Sequence, residues 1–352
     1  MKIIKPSYER IVEPNITKKI ERIARICYKS EDRIGEGTDV KMIQDLLKRQ
    51  HTAMLEHGSI AVCVDGDLFT VFKEVVSNIT TIIMQEDKQD LKRNHLRYTA
   101  FLKINEQEDD YEPIRYIVSG NIRAWIQAMD LLTNRINFVF PETMKYVLTQ
   151  ISPEIFGGYN YSDEEYHQFD LITDFSELLP EERMIHEDIT VKFTVDRGVT
   201  HELVRHRDCS FAQESTRYCN YSLGKYGNEI TVIEPCFFAR PDGVDLPTDE
   251  WAEKYGAWRT ACEESEKAYN RLLAAKATPQ QARDVLPTSV KAEIVMTANL
   301  REWKHIFSLR ACDSTGPAHP QMKEVMIPCL KELRPLYEFA FGDLIAADEV
   351  HN

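Results

Sequence analysis

Ile189, Val191, Phe193 and Val195 alternate with Thr190, Lys192 and Thr194. Successive side chains leave a strand on opposite faces, so this run predicts a half-buried strand. It leads into His201-Glu202-Leu203-Val204-Arg205-His206-Arg207, which puts the densest chemistry of the chain just past the end of a strand. Helical patterns precede it. Asn15 or Thr17 can cap a helix with Ile20, Ile23, Ala24 and Cys27 on one face, and a second runs from Asp39 to Arg49 with Met42, Leu46 and Leu47 inward. Ile60, Val62 and Val64 read as a strand stopped by Asp65-Gly66-Asp67. Ser119 to Trp125 reads as a helix start, followed by Ile126, Met129 and Leu132 at helical spacing. Farther on, Trp251 to Ala275 is helical, Thr278-Pro279 opens a short helix that breaks at Pro287, and Asn299 caps a helix holding Leu300, Trp303, Ile306 and Phe307. Met322 to Phe341 forms a last amphipathic segment with kinks or breaks at Pro328 and Pro335. Strands and helices do not alternate strictly, which predicts an α+β fold, a mixed or antiparallel sheet flanked by helices.

The 352 residues include 43 Lys and Arg against 57 Asp and Glu, a net charge of −14. That argues against a nucleic-acid partner, because phosphate contacts supply most nonspecific affinity and no broad basic stripe is present. Ten acids and one base lie between Asp163 and Asp188, so this stretch holds −9 of the −14 and is expected to be a solvated surface excursion. Met1 to Val12 contains no readable signal peptide, and no segment approaches the roughly 18 apolar residues of a membrane helix. No membrane association is expected. Eight cysteines without Cys-x-x-Cys spacing predict reduced, mostly buried thiols and a cytoplasmic protein.

The chain has no G-x-G-x-x-G after a strand and no G-x-x-x-x-G-K-[ST], so a bound nucleotide must be held by side chains. His201-Glu202 opens like a zinc-protease H-E-x-x-H, but the next histidine is His206, about 140° away around a helix. No metal is expected. No serine sits in a G-x-S-x-G elbow. Arg205, His206, Arg207 and Arg217, accompanied only by Asp208 and Glu214, form a basic island in an acidic chain. Guanidinium groups donate paired hydrogen bonds to phosphate oxygens, so the island suits a phosphate or pyrophosphate; equally, Arg205 and Arg207 could pair with Glu202 and Asp208.

Arg205-His206-Arg207, seven residues and then Ser215 resemble the R-H-R-x7-S signature of the flavin-dependent thymidylate synthases, and the run through Gln213, Arg217 and Tyr218 is similar to that family as well. His51-Thr52-Ala53-Met54-Leu55-Glu56-His57 resembles the family's H-x-x-P-F-E-H, with Met54 and Leu55 in place of Pro-Phe. Ala282-Arg283-Asp284-Val285-Leu286-Pro287 resembles A-R-x-x-L-P, and Asn299-Leu300-Arg301, His305, Leu309-Arg310 and His319-Pro320-Gln321 follow with matching spacing.

The resemblance implies a single α+β domain over 1–352, with an insertion at about 65–187 that lies where one hairpin would have been opened and filled. It implies reductive methylation of dUMP to dTMP, with methylenetetrahydrofolate as carbon donor and FAD recharged by NADPH, in a homotetramer whose active sites lie between subunits. His51, Glu56, Arg205, His206, Arg207, Asn299, Arg301 and His305 would contact FAD. Glu202, Arg205, Gln213, Glu214, Ser215, Arg217, Arg283 and Arg310 would surround dUMP, Glu202 standing where compact members commonly carry an amide. Uracil C5 becomes nucleophilic only as negative charge builds on the ring, and a fixed cation at the N3/O4 edge stabilises that charge. Arg310 is expected to do this, with Ser215 a hydrogen-bond partner rather than a nucleophile, and Cys209 and Cys219 packing residues. The alternatives are another flavin- or nucleotide-dependent uridylate methyltransferase on the same scaffold and a non-catalytic RNA-binding module.

Overall fold

The computed structural model describes residues 1–65, 97–101, 115–133, 148–157, 169–224, 227–238 and 249–350. The chain begins with strands β1 (Lys2–Ile4) and β2 (Ser7–Arg10), helices α1 (Ile16–Tyr28) and α2 (Thr38–Lys48), and a 3₁₀ turn at Thr52–His57. Strands β3 (Ser59–Asp65), β4 (Arg97–Phe101) and β5 (Arg115–Asn121), helix α3 (Ile122–Thr133), strand β6 (Phe169–Leu171) and helix α4 (Pro180–His186) follow. Then come strand β7 (Asp188–Asp196), helix α5 (Arg197–Leu203), strands β8 (Ser210–Gln213) and β9 (Thr231–Ile233) and helix α6 (Asp249–Ala274). Strand β10 (Lys291–Asn299) and helices α7 (Leu300–Arg310) and α8 (Pro320–Leu333) complete the principal elements.

A central antiparallel sheet has the order β2-β7-β10-β8, a second antiparallel sheet the order β4-β5-β3-β6, and β1 pairs with β9 in parallel. The predicted alternation in β7 sends Ile189, Val191, Phe193 and Val195 into a core shared with Trp303, Ile306 and Phe307 of α7 and Met322, Val325 and Met326 of α8. Burying side chains such as Ile306 and Phe307 contributes roughly 1.5–3 kcal/mol apiece before entropy is counted. The opposite face of the sheet, at Ala212 and Val295, packs on Ile23, Ile26 and Cys27 of α1. Thr190 is consequently buried as well, and its hydroxyl is bonded to Thr297 at 2.8 Å. Helix α1 also serves the second sheet, because Ile20 packs with Ile60, Val62, Val118, Ile122 and Trp125.

Several expectations change. Ser119 to Asn121 complete β5, and the helix starts one step later, at Ile122, with Asn121 Oδ1 accepting from Ala124 N at 2.8 Å. Strands β3 and β7 lie in different sheets, so they are not two arms of one hairpin; β3 instead pairs with β5 and β6 from the intervening segment. Helix α8 continues through Pro328 and ends at Leu333, ahead of Pro335. In the turn read at Asp65-Gly66-Asp67, Gly66 and Asp67 lie outside the described residues, as do Asp163, Glu164 and Glu165 of the acidic stretch. Asp174, Glu177 and Glu181 of that stretch are exposed, but its end is structural: Glu182 accepts from Leu179 N at 3.0 Å and Glu187 pairs with Arg183 at 2.8 Å. Among the described residues, no helix is long and apolar enough to cross a membrane.

Candidate active site

Strand β7 ends on Asp196, whose Oδ1 accepts from Val199 N at 2.9 Å and caps α5. Its Oδ2 accepts from Gln321 Nε2 of α8 at 2.7 Å. A Cβ on Gly198 would lie 3.0 Å from Asp196 Oδ1, so this tight entry favours a residue without a side chain. Three contacts then mark out the length of α5. Arg197 Nη2 donates to Thr216 Oγ1 at 3.0 Å, Gln213 Nε2 donates to Thr200 Oγ1 at 3.0 Å, and Arg310 Nη1 pairs with Glu202 Oε2 at 3.0 Å. Seven residues of helix span only about 10 Å, so this short element gathers the end of β8, the loop after it and the end of α7.

Arg310 is also held by His206, whose Nε2 accepts from Arg310 Nε at 3.3 Å. Burial, then the charges of Arg310 and His305, lower His206 to about 4, so it is neutral at pH 7 and can accept that bond. Its proton then sits on Nδ1, 3.9 Å from Glu302 Oε1. Burial raises the Glu302 carboxyl, and Asp208 adds to the effect. The His305 ring lies edge-on to His206 with centroids 6.4 Å apart. Glu202 thus serves Arg310, leaving Arg205 and Arg207 exposed and, among the described residues, without an ion pair.

The other residues singled out above divide into two ends of β8. Asn299 caps α7, its Oδ1 accepting from Glu302 N at 2.9 Å while its Nδ2 donates to Ile185 O at 3.0 Å; Arg301 and His305 are exposed on the same helix. Thr297, two residues earlier, is bonded to the buried His57 Nδ1 at 2.8 Å, which docks the Thr52–His57 turn on the sheet. Burial lowers His57 to about 3, so it too is neutral. His51 is exposed at the start of this turn, and Glu56 pairs with Arg123. At the other end of β8, Ser215 N donates to Cys27 O at 3.1 Å, and Ser215 Oγ accepts from Arg217 N at 3.3 Å. Arg217 Nε donates to Gln280 Oε1 at 3.2 Å, and Arg283 is exposed a few residues beyond. Glu214, in the same run, is buried with its Oε2 2.7 Å from Lys291 Nζ. Burial pushes the Cys209 thiol well up, which disfavours a thiolate there.

Asp196, Arg197, Thr200 and Glu302 were not singled out by any motif, and Gln321 appeared only within the His319-Pro320-Gln321 block, without a role. Asp196 carried a usable signal, a capping residue between a strand and a helix. The contacts of Arg197, Thr200 and Gln321 carried none, because each joins segments brought together only by the fold.

Residues 161–337 match the family described as thymidylate synthase complementing protein. The chain belongs to that family. A flavin-dependent thymidylate synthase from Pyrococcus abyssi is 35% identical over 165 residues, covering 44% of this chain and 62% of the relative. One from Corynebacterium aurimucosum is 34% identical over 154 residues, covering 42% and 58%. The match therefore spans about three fifths of the length of these relatives. Among solved structures, a UMP/dUMP methylase PolB from Streptomyces cacaoi bound with 5-Br dUMP aligns with a TM-score of 0.36 at 23% identity, covering 45% of this chain and 71% of that one.

Proposed function

We propose that this protein methylates dUMP to dTMP, with methylenetetrahydrofolate as carbon donor and a flavin, FAD, recharged by NADPH. The observation that carries the reading is the placement of Arg310, fixed at one end of α5 by Glu202 and neutral His206, while Gln213 is fixed on Thr200 of the same helix. Among the described residues no partner occupies Arg310 Nη2, so one edge of an anchored guanidinium remains to meet a ligand. Directed at the O4/N3 edge of uracil, that cation stabilises the charge that makes C5 nucleophilic, and an immobilised donor does so without reorganising during the reaction. Among the described residues Ser215 has no histidine or carboxylate bonded to its hydroxyl, which suits a binding role.

The donor set fits FAD. Among the described residues Arg205 and Arg207 lack a counter-ion, and Arg301 and His305 are exposed on α7, whose cap at Asn299 is close in the sheet to the docked 51–57 turn. Two or more such cations suit a pyrophosphate. Bound and reduced, the flavin supplies the hydride that completes the methyl group. Val204 and Tyr218, exposed at 45% and 62%, flank the site and suit a subunit contact, in keeping with active sites between the chains of a cytoplasmic homotetramer.

The purified protein is expected to carry flavin colour, and tritium release from C5-labelled dUMP is expected to depend on methylenetetrahydrofolate and NADPH. A colourless protein without this exchange refutes the reading. Methylation of UMP in preference to dUMP would redirect it to a uridylate methyltransferase.

A further inference from the structure

Strand β5 and the start of α3 are packed against β3, α1 and the Thr52–His57 turn. Strand β5 pairs with β3 over seven residues, from Ser59 opposite Asn121 to Asp65 opposite Arg115. At the junction, Ile122 N donates to Gly58 O at 2.8 Å. A Cβ on Gly58 would lie 2.7 Å from Ile16 Cγ2, 2.9 Å from Ile20 Cδ1 and 3.2 Å from Ile122 Cδ1, so α1, the 52–57 turn and the start of α3 are in closest approach. Ile122 and Trp125, either side of Arg123, are buried in the core that also contains Leu55. The backbone of Arg123 is therefore fixed relative to that of Glu56.

From this position Arg123 Nη1 pairs with Glu56 Oε1. Arg123 Nε is buried without a hydrogen-bond partner, while the side chain as a whole is 37% exposed. The guanidinium thus spans from the packed turn to an open edge. His57, next to Glu56, cannot serve as the counter-ion, because its ring is enclosed and committed to Thr297. Among the described residues Arg123 is the cation that Glu56 contacts.

We propose that the junction of β5 and α3 borders the active site and that its Arg123 is a positioning residue, holding Glu56 in the orientation used beside the flavin. The inference rests on the reading above that Glu56 borders that cofactor. A charge-assisted contact of this kind commonly corresponds to tenfold or more in an equilibrium constant.

The test uses the full chain stripped of flavin, with FAD affinity measured by fluorescence quenching in wild type, Arg123→Ala, Arg123→Lys, Glu56→Gln and the double variant Arg123→Ala/Glu56→Gln. Arg123→Ala is expected to weaken FAD binding by about tenfold, with partial recovery in Arg123→Lys. In the Glu56→Gln background the same change is expected to have little further effect, which a general loss of packing would not produce. Should Arg123→Ala fail to fold, Arg123→Gln carries the same expectation. Wild-type FAD affinity in the Arg123 variants, or an undiminished loss in the Glu56→Gln background, overturns the proposal alone. A wild-type chain that binds no FAD overturns it together with the flavin reading.

Discussion

Arg310 is gripped on two of its nitrogens, and the two grips differ in kind. Glu202 supplies a charge, while His206 supplies a lone pair that exists only because burial and neighbouring cations keep the ring neutral. Arg310→Ala is expected to lower turnover by about 10²–10³ while FAD stays bound; flavin lost along with activity would remove Arg310 from this role. The same neutral ring has a consequence for stability. An unfolded histidine takes up its proton near 6.5, whereas His206 does so at about 4 and His57 at about 3. In that window the unfolded chain binds more protons, so this stability is fully present above about pH 6.5 and is lost as the pH falls toward the folded values. For His206 the loss is roughly 2 kcal/mol between pH 6.5 and 5. Urea unfolding across this range should show it, with a shallower decline in His206→Asn; superimposable pH curves would contradict the assignment. The candidate site residues were readable as motifs. The Glu202–Arg310 pair was not, since its members are 108 positions apart and each was assigned to a ligand.

At the scale of elements, the patterns that could be read were local ones. Alternation marked β7, three-to-four spacing marked α1, and Asn15 and Asn299 both cap the helices they precede. The start of α3 was misplaced because Ser119-Gly120-Asn121 carries the composition of a turn, while its pairing with β3 comes from about 60 residues upstream, beyond any local pattern. Asn299 has a double task, capping α7 and tying it to the end of α4 through Ile185 O. Asn299→Ala is therefore expected to cost about 1–3 kcal/mol, more than an isolated cap. Chemical denaturation of the flavin-free chain measures this directly, and an unchanged midpoint would show that neither bond matters.

Across the whole molecule, two sheets share one helix, with α1 giving Ile20 to one core and Ile23, Ile26 and Cys27 to the other. Of that second sheet only β3 was legible as a strand, because its partners β4, β5 and β6 are drawn from the segment that reads as an excess. Trp125, 2% exposed, is its largest packing element near the junction, and Trp125→Ala should destabilise the chain by about 3–5 kcal/mol. A loss below about 1 kcal/mol in urea titration would mean that the two sheets are energetically independent. A different kind of coupling follows from Gln321. Helix α5 has fewer than two turns, too few to hold its own orientation, and its entry residue Asp196 is tethered to α8 by that one amide. The orientation of α5 is consequently tied to α8 as well as to β8, the loop after it and α7. A side chain more than a hundred residues away in sequence acts as the alignment screw for the helix on which Gln213 and Arg310 are anchored.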